Sequence, residues 1–256
     1  MNRKVIYTCI TGCYDKLMQP LVVDDTFDYI CFSDSPISVG DGIWQIKEIP
    51  EMPVEGCKLS RYPKMHPHVL LKEYDFSIYV DANILIQQPS FYHSINNCIS
   101  NNIILAGIKH PSVNCLYEEY YNVFKQRKET DLVRLWREYR VIKKSGFPKQ
   151  YGMYEANIIY RDHHNPIVIK QCEDWWALYL KYTKRDQLSY SYTLWKNEID
   201  TNYLMEVCGL HSDENASYKV LFHPNPSPKS DVWNKLLFKL LPEPLIKRVF
   251  YMLFDI

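Results

Sequence analysis

The 256-residue chain predicts an α/β fold built on a mostly parallel sheet, and three observations carry the prediction. Short apolar runs rich in Val, Ile, Tyr and Phe recur through the first 160 residues, helix-length stretches separate them, and turn-forming residues close several of the runs. Strands alternating with helical segments give a sheet covered on both faces. Hydrophobic residues make up 46% of the chain and charged residues 23%, enough for a sizeable core, so bulk disorder is excluded.

Lys4 to Ile10 is a first buried strand, closed by Thr11-Gly12, and Asp28 to Ser33 is a second. Leu59 to Tyr74 has helical character, but Pro63 and Pro67 lack backbone donors and argue for a broken or late start. Phe76 to Val80 is a third strand that ends at Asp81, Ile103 to Ile108 a fourth, and Tyr117 to Tyr139 a charged helix. Glu155 to Arg161 suits a strand and Pro166 to Tyr182 a helix, while Gln187 to Trp195 fits helical and strand spacing alike. The Pro-rich run from His223 to Lys229 is a linker. It divides residues 1–225, one domain, from a C-terminal extension, 226–256, whose apolar positions predict two short amphipathic helices hinged at Pro242-Glu-Pro244.

Thirty Lys+Arg balance thirty Asp+Glu, so no global field favours a nucleic-acid partner, and none is expected. The apolar run Val5 to Ile10 is too short for a signal segment or a membrane span. Eight cysteines without a C-x-x-C pair suit reduced thiols in a cytoplasmic protein and argue against zinc.

Ligands of an open parallel sheet bind outside the carboxyl ends of its strands. Asp81 and Asn83 stand where the third strand ends, and a carboxylate and an amide oxygen two residues apart can turn toward one hard cation, or simply serve a surface turn. Lys58, Arg61 and Lys64, with His66 and His68 behind them, offer three cations for a diphosphate or a solvated helix face. Arg185, Asp186 and Gln187 lie among aromatic residues, where a buried carboxylate orients a sugar hydroxyl, acts as a base or completes a core network.

In order along the chain, Tyr7 to Asp15, Lys58 to Lys64, Ile78-Tyr-Val-Asp-Ala-Asn83, His110-Pro111 with Cys115 to Glu119, Glu155 to Arg161, Trp175-Trp176 and Arg185 to Ser189 resemble the glycosyltransferase-like family named after the plant proteins TOD1 and MUCI70. The resemblance spans roughly residues 4 to 200. It implies a GT-A fold, Rossmann-like, with a nucleotide-sugar over the carboxyl ends of the sheet and a divalent cation, Mn2+ or Mg2+, on its diphosphate. Asp81 and Asn83 then take the place of the usual Asp-x-Asp, with a neutral second ligand, and His223, or alternatively His211, is the expected third. Thr8, Thr11, Tyr14 and Asp15 would meet the nucleoside, consistent with uridine, while Lys58, Arg61 and Lys64 would offset charge on the departing diphosphate. His110, at a strand end, is a further candidate to reach the acceptor.

Glu155, Asp186 and Gln187 are implied near the transferred sugar and the acceptor. An inverting transfer needs a carboxylate base, whereas in a retaining one the leaving phosphate takes the proton, and the plant relatives point to retention. The expected function is metal-dependent transfer of a sugar from a UDP-linked donor to a glycan or lipid-linked acceptor in surface polysaccharide synthesis. The alternative is a catalytically silent nucleotide- or glycan-binding module on the same fold. Residues 232–256, apolar on one side and carrying Lys and Arg, are expected to dock on the cytoplasmic face of a membrane or to form a homodimer contact.

Overall fold

A computed structural model describes residues 2–38, 41–200, 202–205, 216–221, 239 and 241–256. Its centre is a six-stranded sheet in the order β3-β2-β1-β4-β7-β6. The strands are β1 (Lys4–Ile10), β2 (Phe27–Ser33), β3 (Gln45–Glu48), β4 (Phe76–Val80), β6 (Leu105–Lys109) and β7 (Tyr154–Arg161). A separate two-stranded ladder pairs β5 (Ile84–Ile86) with β8 (Tyr218–Val220). β3, β2, β1 and β4 pair in parallel, while β7 is antiparallel to both β4 and β6. The mostly parallel α/β architecture expected from the sequence is therefore present, with β7 the one reversed strand.

That reversal positions the site. The carboxyl ends of β1, β2 and β4 open on one edge, and β7, running the other way, brings its amino end to the same edge. Val80 pairs with Ile158, and the Asp81 N–H donates to the Asn157 carbonyl at 2.8 Å. Asp81 and Glu155, 74 residues apart in the sequence by their numbering, become neighbours through sheet topology.

Period-two alternation supplies two core faces. Ile6, Ile78, Ile158 and Tyr160 pack on one side with α3 (Ser90–Ser100). Val5, Tyr7, Tyr79 and Ile159 pack on the other with Met65 of α1 (Cys57–Met65) and with Trp175 of α6 (Pro166–Lys181). α1 carries Pro63 inside it and begins before Leu59; α2 (Pro67–Leu70) follows as a single turn, as expected of Pro at a helix start. Gln187 to Trp195, ambiguous by periodicity, lies within helix α7 (Asp186–Lys196).

The charged helix expected over Tyr117 to Tyr139 is two helices, α4 (Leu116–Lys125) and α5 (Leu132–Lys144). Arg127 between them has φ +55°, which no right-handed helix accommodates, and the Asp131 carboxylate caps α5 by accepting the Arg134 N–H. The final helix, α8 (Glu243–Phe254), sets Ile246, Phe250 and Phe254 into a third core cluster with α4 and α5. All of the first expected tail helix but residues 239 and 241 lies outside the described residues. Among the described residues, no helix is long and apolar enough to cross a membrane.

Candidate active site

A cavity of about 660 Å3 opens at the shared edge of β1, β2, β4 and β7. α1 presents Cys57, Ser60, Arg61 and Lys64 to it, the i, i+3, i+4, i+7 stripe of one helical face. The loop after β1 contributes Thr11, Gly12, Tyr14 and Asp15, the end of β4 Asp81, and the start of β7 Glu155 and Asn157. α7 adds Asp186 and Gln187 from its first turn.

The core of the site is an ion network. The Lys64 ammonium lies 2.7 Å from Asp186 Oδ2 and 3.5 Å from Asp81 Oδ1, and Arg61 Nε lies 3.2 Å from the same Asp186 oxygen. Side-chain exposure is 2% for Lys64 and 6% for Asp186, but 33% for Asp81. Burial alone would raise the Asp186 pKa, yet the Lys64 and Arg61 cations override it and hold the carboxyl well below the usual range. Asp186 is thus a permanent counter-ion that fixes two cations. Its backbone carbonyl accepts the Trp175 indole N–H at 2.7 Å, which ties the start of α7 to α6.

Asp81 keeps one side toward the cavity. Its Oδ1 accepts the Tyr79 hydroxyl at 2.9 Å, and among the described residues its Oδ2 has no hydrogen bond. Glu155 accepts from the Asn157 amide at 2.8 Å, and burial raises its pKa while that bond partly offsets the shift. Among the described residues no group of three or more His, Cys, Asp or Glu is arranged to hold a metal ion.

The loop after β1 is pinned by Asp34, which directly follows β2. Both Asp34 oxygens accept the Gly12 N–H at 3.0 Å, while Gly12 and Cys13 take φ +59° and +50°. Two successive left-handed residues turn the chain sharply, and glycine meets this requirement without steric cost. Lys128, Lys184 and Arg185 add three further cations to the wall. The loop carrying the last two is held from below: the Thr183 hydroxyl donates to Glu138 Oε2 of α5 at 2.7 Å, and the Lys184 N–H donates to Glu129 at 3.3 Å.

Of the residues expected from the sequence, Thr11, Tyr14, Asp15, Arg61, Lys64, Asp81, Glu155, Asp186 and Gln187 share this cavity. Thr8 does not: it lies inside β1, buried and two residues short of the strand end. Lys58 lies at the edge of the α1 stripe and faces a separate shallow hollow with Met52 to Glu55. Asn83 is also outside the cavity wall; its side-chain amide donates to the Leu221 carbonyl at 2.8 Å, and its backbone carbonyl accepts the Leu221 N–H at 2.8 Å. His110 Nδ1 accepts the N–H groups of Ser112 and Val113 and shapes that turn. His223 and His211 lie outside the described residues. Arg185, grouped with Asp186 and Gln187 in the sequence, is on the wall as well; Asp34, Lys128 and Lys184 were not singled out from the sequence, although Asp34 carries the same signal as Asp81, a carboxylate directly after an apolar strand.

A family model described as "TOD1/MUCI70, glycosyltransferase-like domain" matches residues 33–215. No curated protein matches significantly. Among solved structures, one titled "WbbM bifunctional glycosytransferase apo structure" aligns with a TM-score of 0.43 at 9% identity over 78% of this chain. The chain spans 38% of that protein's length.

Proposed function

From the premise that the chain belongs to the TOD1/MUCI70 glycosyltransferase-like family, we propose that it transfers a sugar from a UDP-linked donor to a glycan or lipid-linked acceptor in surface polysaccharide synthesis. The observation that carries this reading is the pair of cations, Arg61 and Lys64, fixed by buried Asp186 on the cavity wall beside the half-exposed carboxylate of Asp81. A departing nucleoside diphosphate gains negative charge as the glycosidic bond breaks. Cations already held in place stabilise that charge without reorganising, usually the largest electrostatic contribution to catalysis. Lys128, Lys184 and Arg185 extend the positive wall toward the rest of the donor.

A divalent cation, Mn2+ or Mg2+, would neutralise and orient the diphosphate when bound. Asp81 suits it as a carboxylate ligand, with one oxygen outside the Lys64 and Tyr79 contacts. We assign His223 the completing role because Leu221, two residues before it, is bonded to Asn83 through both its backbone groups. Asn83 supports that junction, and its amide oxygen is the remaining candidate ligand. Thr11, Tyr14 and Asp15 are assigned to the nucleoside, on the loop that Asp34 shapes.

Retention is the stereochemistry we propose, with the leaving phosphate accepting the acceptor's proton, because the most deeply buried carboxylate of the cavity wall, Asp186, is committed to two cations and takes up no proton near neutrality. Gln187 beside it is placed to hold the sugar. One observation favours a second reading: Glu155 lines the cavity with a raised pKa, as an inverting base would. The anomeric coupling of the product, read by NMR, separates the two. Titration calorimetry of UDP with and without Mn2+ tests the site itself. Metal-dependent UDP binding together with sugar turnover supports a transferase, and UDP binding with no turnover over a full donor panel supports a silent binding module.

A further inference from the structure

The outward faces of α5 and α8 are unlike the rest of the surface. More than half of the exposed large apolar side chains of the described residues lie on these two helices or just before α8. On α5, Val133, Trp136, Arg137, Arg140 and Lys144 recur at i, i+3, i+4, i+7 and i+11 and are all exposed, whereas Leu135, Glu138, Tyr139 and Ile142 turn inward. The Arg140 guanidinium sits over the Trp136 ring at 5.4 Å. On α8, the inward stripe of Ile246, Phe250 and Phe254 leaves Leu245, Val249, Met252 and Leu253 exposed, the last two by 74% and 62%.

The charge on these helices has one sign where it is unpaired. Arg137, Arg140, Lys144 and Arg248 make no ion pair among the described residues, and the one acid within α5, Glu138, is buried. The two helices are packed together: the Tyr139 hydroxyl donates to the Asp255 carbonyl at 3.0 Å, and the Tyr139 and Phe254 rings meet at 5.2 Å.

We propose that α5 and α8 together form a docking face for an anionic lipid bilayer. Exposed aliphatic and Trp side chains enter the boundary between headgroups and acyl chains, and unpaired cations beside them meet anionic headgroups. A neutral or zwitterionic partner leaves those cations uncompensated, and a purely electrostatic partner leaves Leu245, Met252 and Leu253 in water. The face connects to the cavity through one helix. Glu138, on the inward side of α5, holds Thr183 and with it the loop that carries Lys184 and Arg185 on the cavity wall.

The test is sedimentation of the full chain with vesicles of phosphatidylcholine, with and without phosphatidylglycerol, in the absence of any nucleotide-sugar. Its outcome is therefore independent of the sugar-transfer reading. Binding to the phosphatidylglycerol vesicles is expected, weakening as salt rises. Arg137→Glu with Arg140→Glu, and separately Met252→Asp with Leu253→Asp, should each weaken it at least about tenfold with melting temperatures unchanged. Arg140→Gln serves as the mild variant should a double variant fail to fold, and a smaller loss in the same direction is expected. No binding to anionic vesicles, or binding equal in wild type and variants, overturns the proposal. So does a wild-type dimer that the Met252 and Leu253 substitutions convert to monomer, which assigns the face to a second copy of this chain.

Discussion

The cavity wall and the outer face of α5 carry the same kinds of cation to opposite ends. In the cavity, Lys64 is buried at 2.7 Å from Asp186, so the desolvation of both charges is offset only by a fixed geometry. On α5 and its surroundings, pairs such as Arg134 with Asp131 and Lys125 with Glu243 have side chains nearly half exposed, where water and salt screen the attraction. The buried network therefore acts as a preorganised piece of machinery, and the surface cations as an adaptable coat. Charge count does not separate the two regions; burial does.

The contrast is broken most severely at Lys64. Lys64→Met leaves Asp186 buried with Arg61 alone, and a loss on the order of 3 to 5 kcal/mol in urea unfolding is expected. Adding Asp186→Leu should restore much of it, because the pair rather than either charge is compatible with burial. A single-variant loss like that of a surface pair would erase the distinction. The same pair gives an acid signature. Its stabilisation is full above the unfolded carboxylate value, about 3.9, and is lost as pH falls through the depressed folded value of Asp186.

Arg61→Ala comes next, since Arg61 is partly open to the cavity. It should cost about 2 to 4 kcal/mol in the barrier, read as a fall in kcat/KM, with a much smaller change in melting temperature. Unchanged kinetics would return Arg61 to a structural role. Glu138, on the inward face of α5, is buried and, among the described residues, has no cation to pair it. Burial raises its carboxyl to about 8, partly offset by the Thr183 bonds. The folded state thus binds more protons than the unfolded one between about 4.3 and that value, so wild-type stability should decline as pH rises through this window. In Glu138→Gln that decline should flatten, as urea midpoints measured across the range will show. The smallest effect belongs to Lys125→Ala, which removes an exposed pair and should shift stability by no more than about 1 kcal/mol.

Legibility in the sequence followed the same line. Asp81 was readable because it closes a clear apolar strand, and β1 and β4 because each is a continuous apolar run, buried along almost its whole length. β3, Gln45–Glu48, was not, since an edge strand with exposed ends has little apolar signal. The direction of β7 leaves no mark in its composition, so the approach of Glu155 to Asp81 had to come from topology. Lys58 was grouped with Arg61 and Lys64 by proximity along the chain, whereas it lies at the edge of their stripe and faces Met52 to Glu55 instead. Lys128 and Lys184 come from loops between helices, where no period applies. Asp34 could have been found by the rule that found Asp81.

The most direct test of Asp81-centred, metal-dependent sugar transfer is nucleotide release from a panel of UDP-sugars, measured with Mn2+ and an acceptor mixture, for wild type and for Asp81→Ala. Metal-dependent turnover of at least one donor is expected of wild type and none of the variant, both proteins melting alike. Equal turnover by Asp81→Ala in the presence of EDTA would contradict that mechanism.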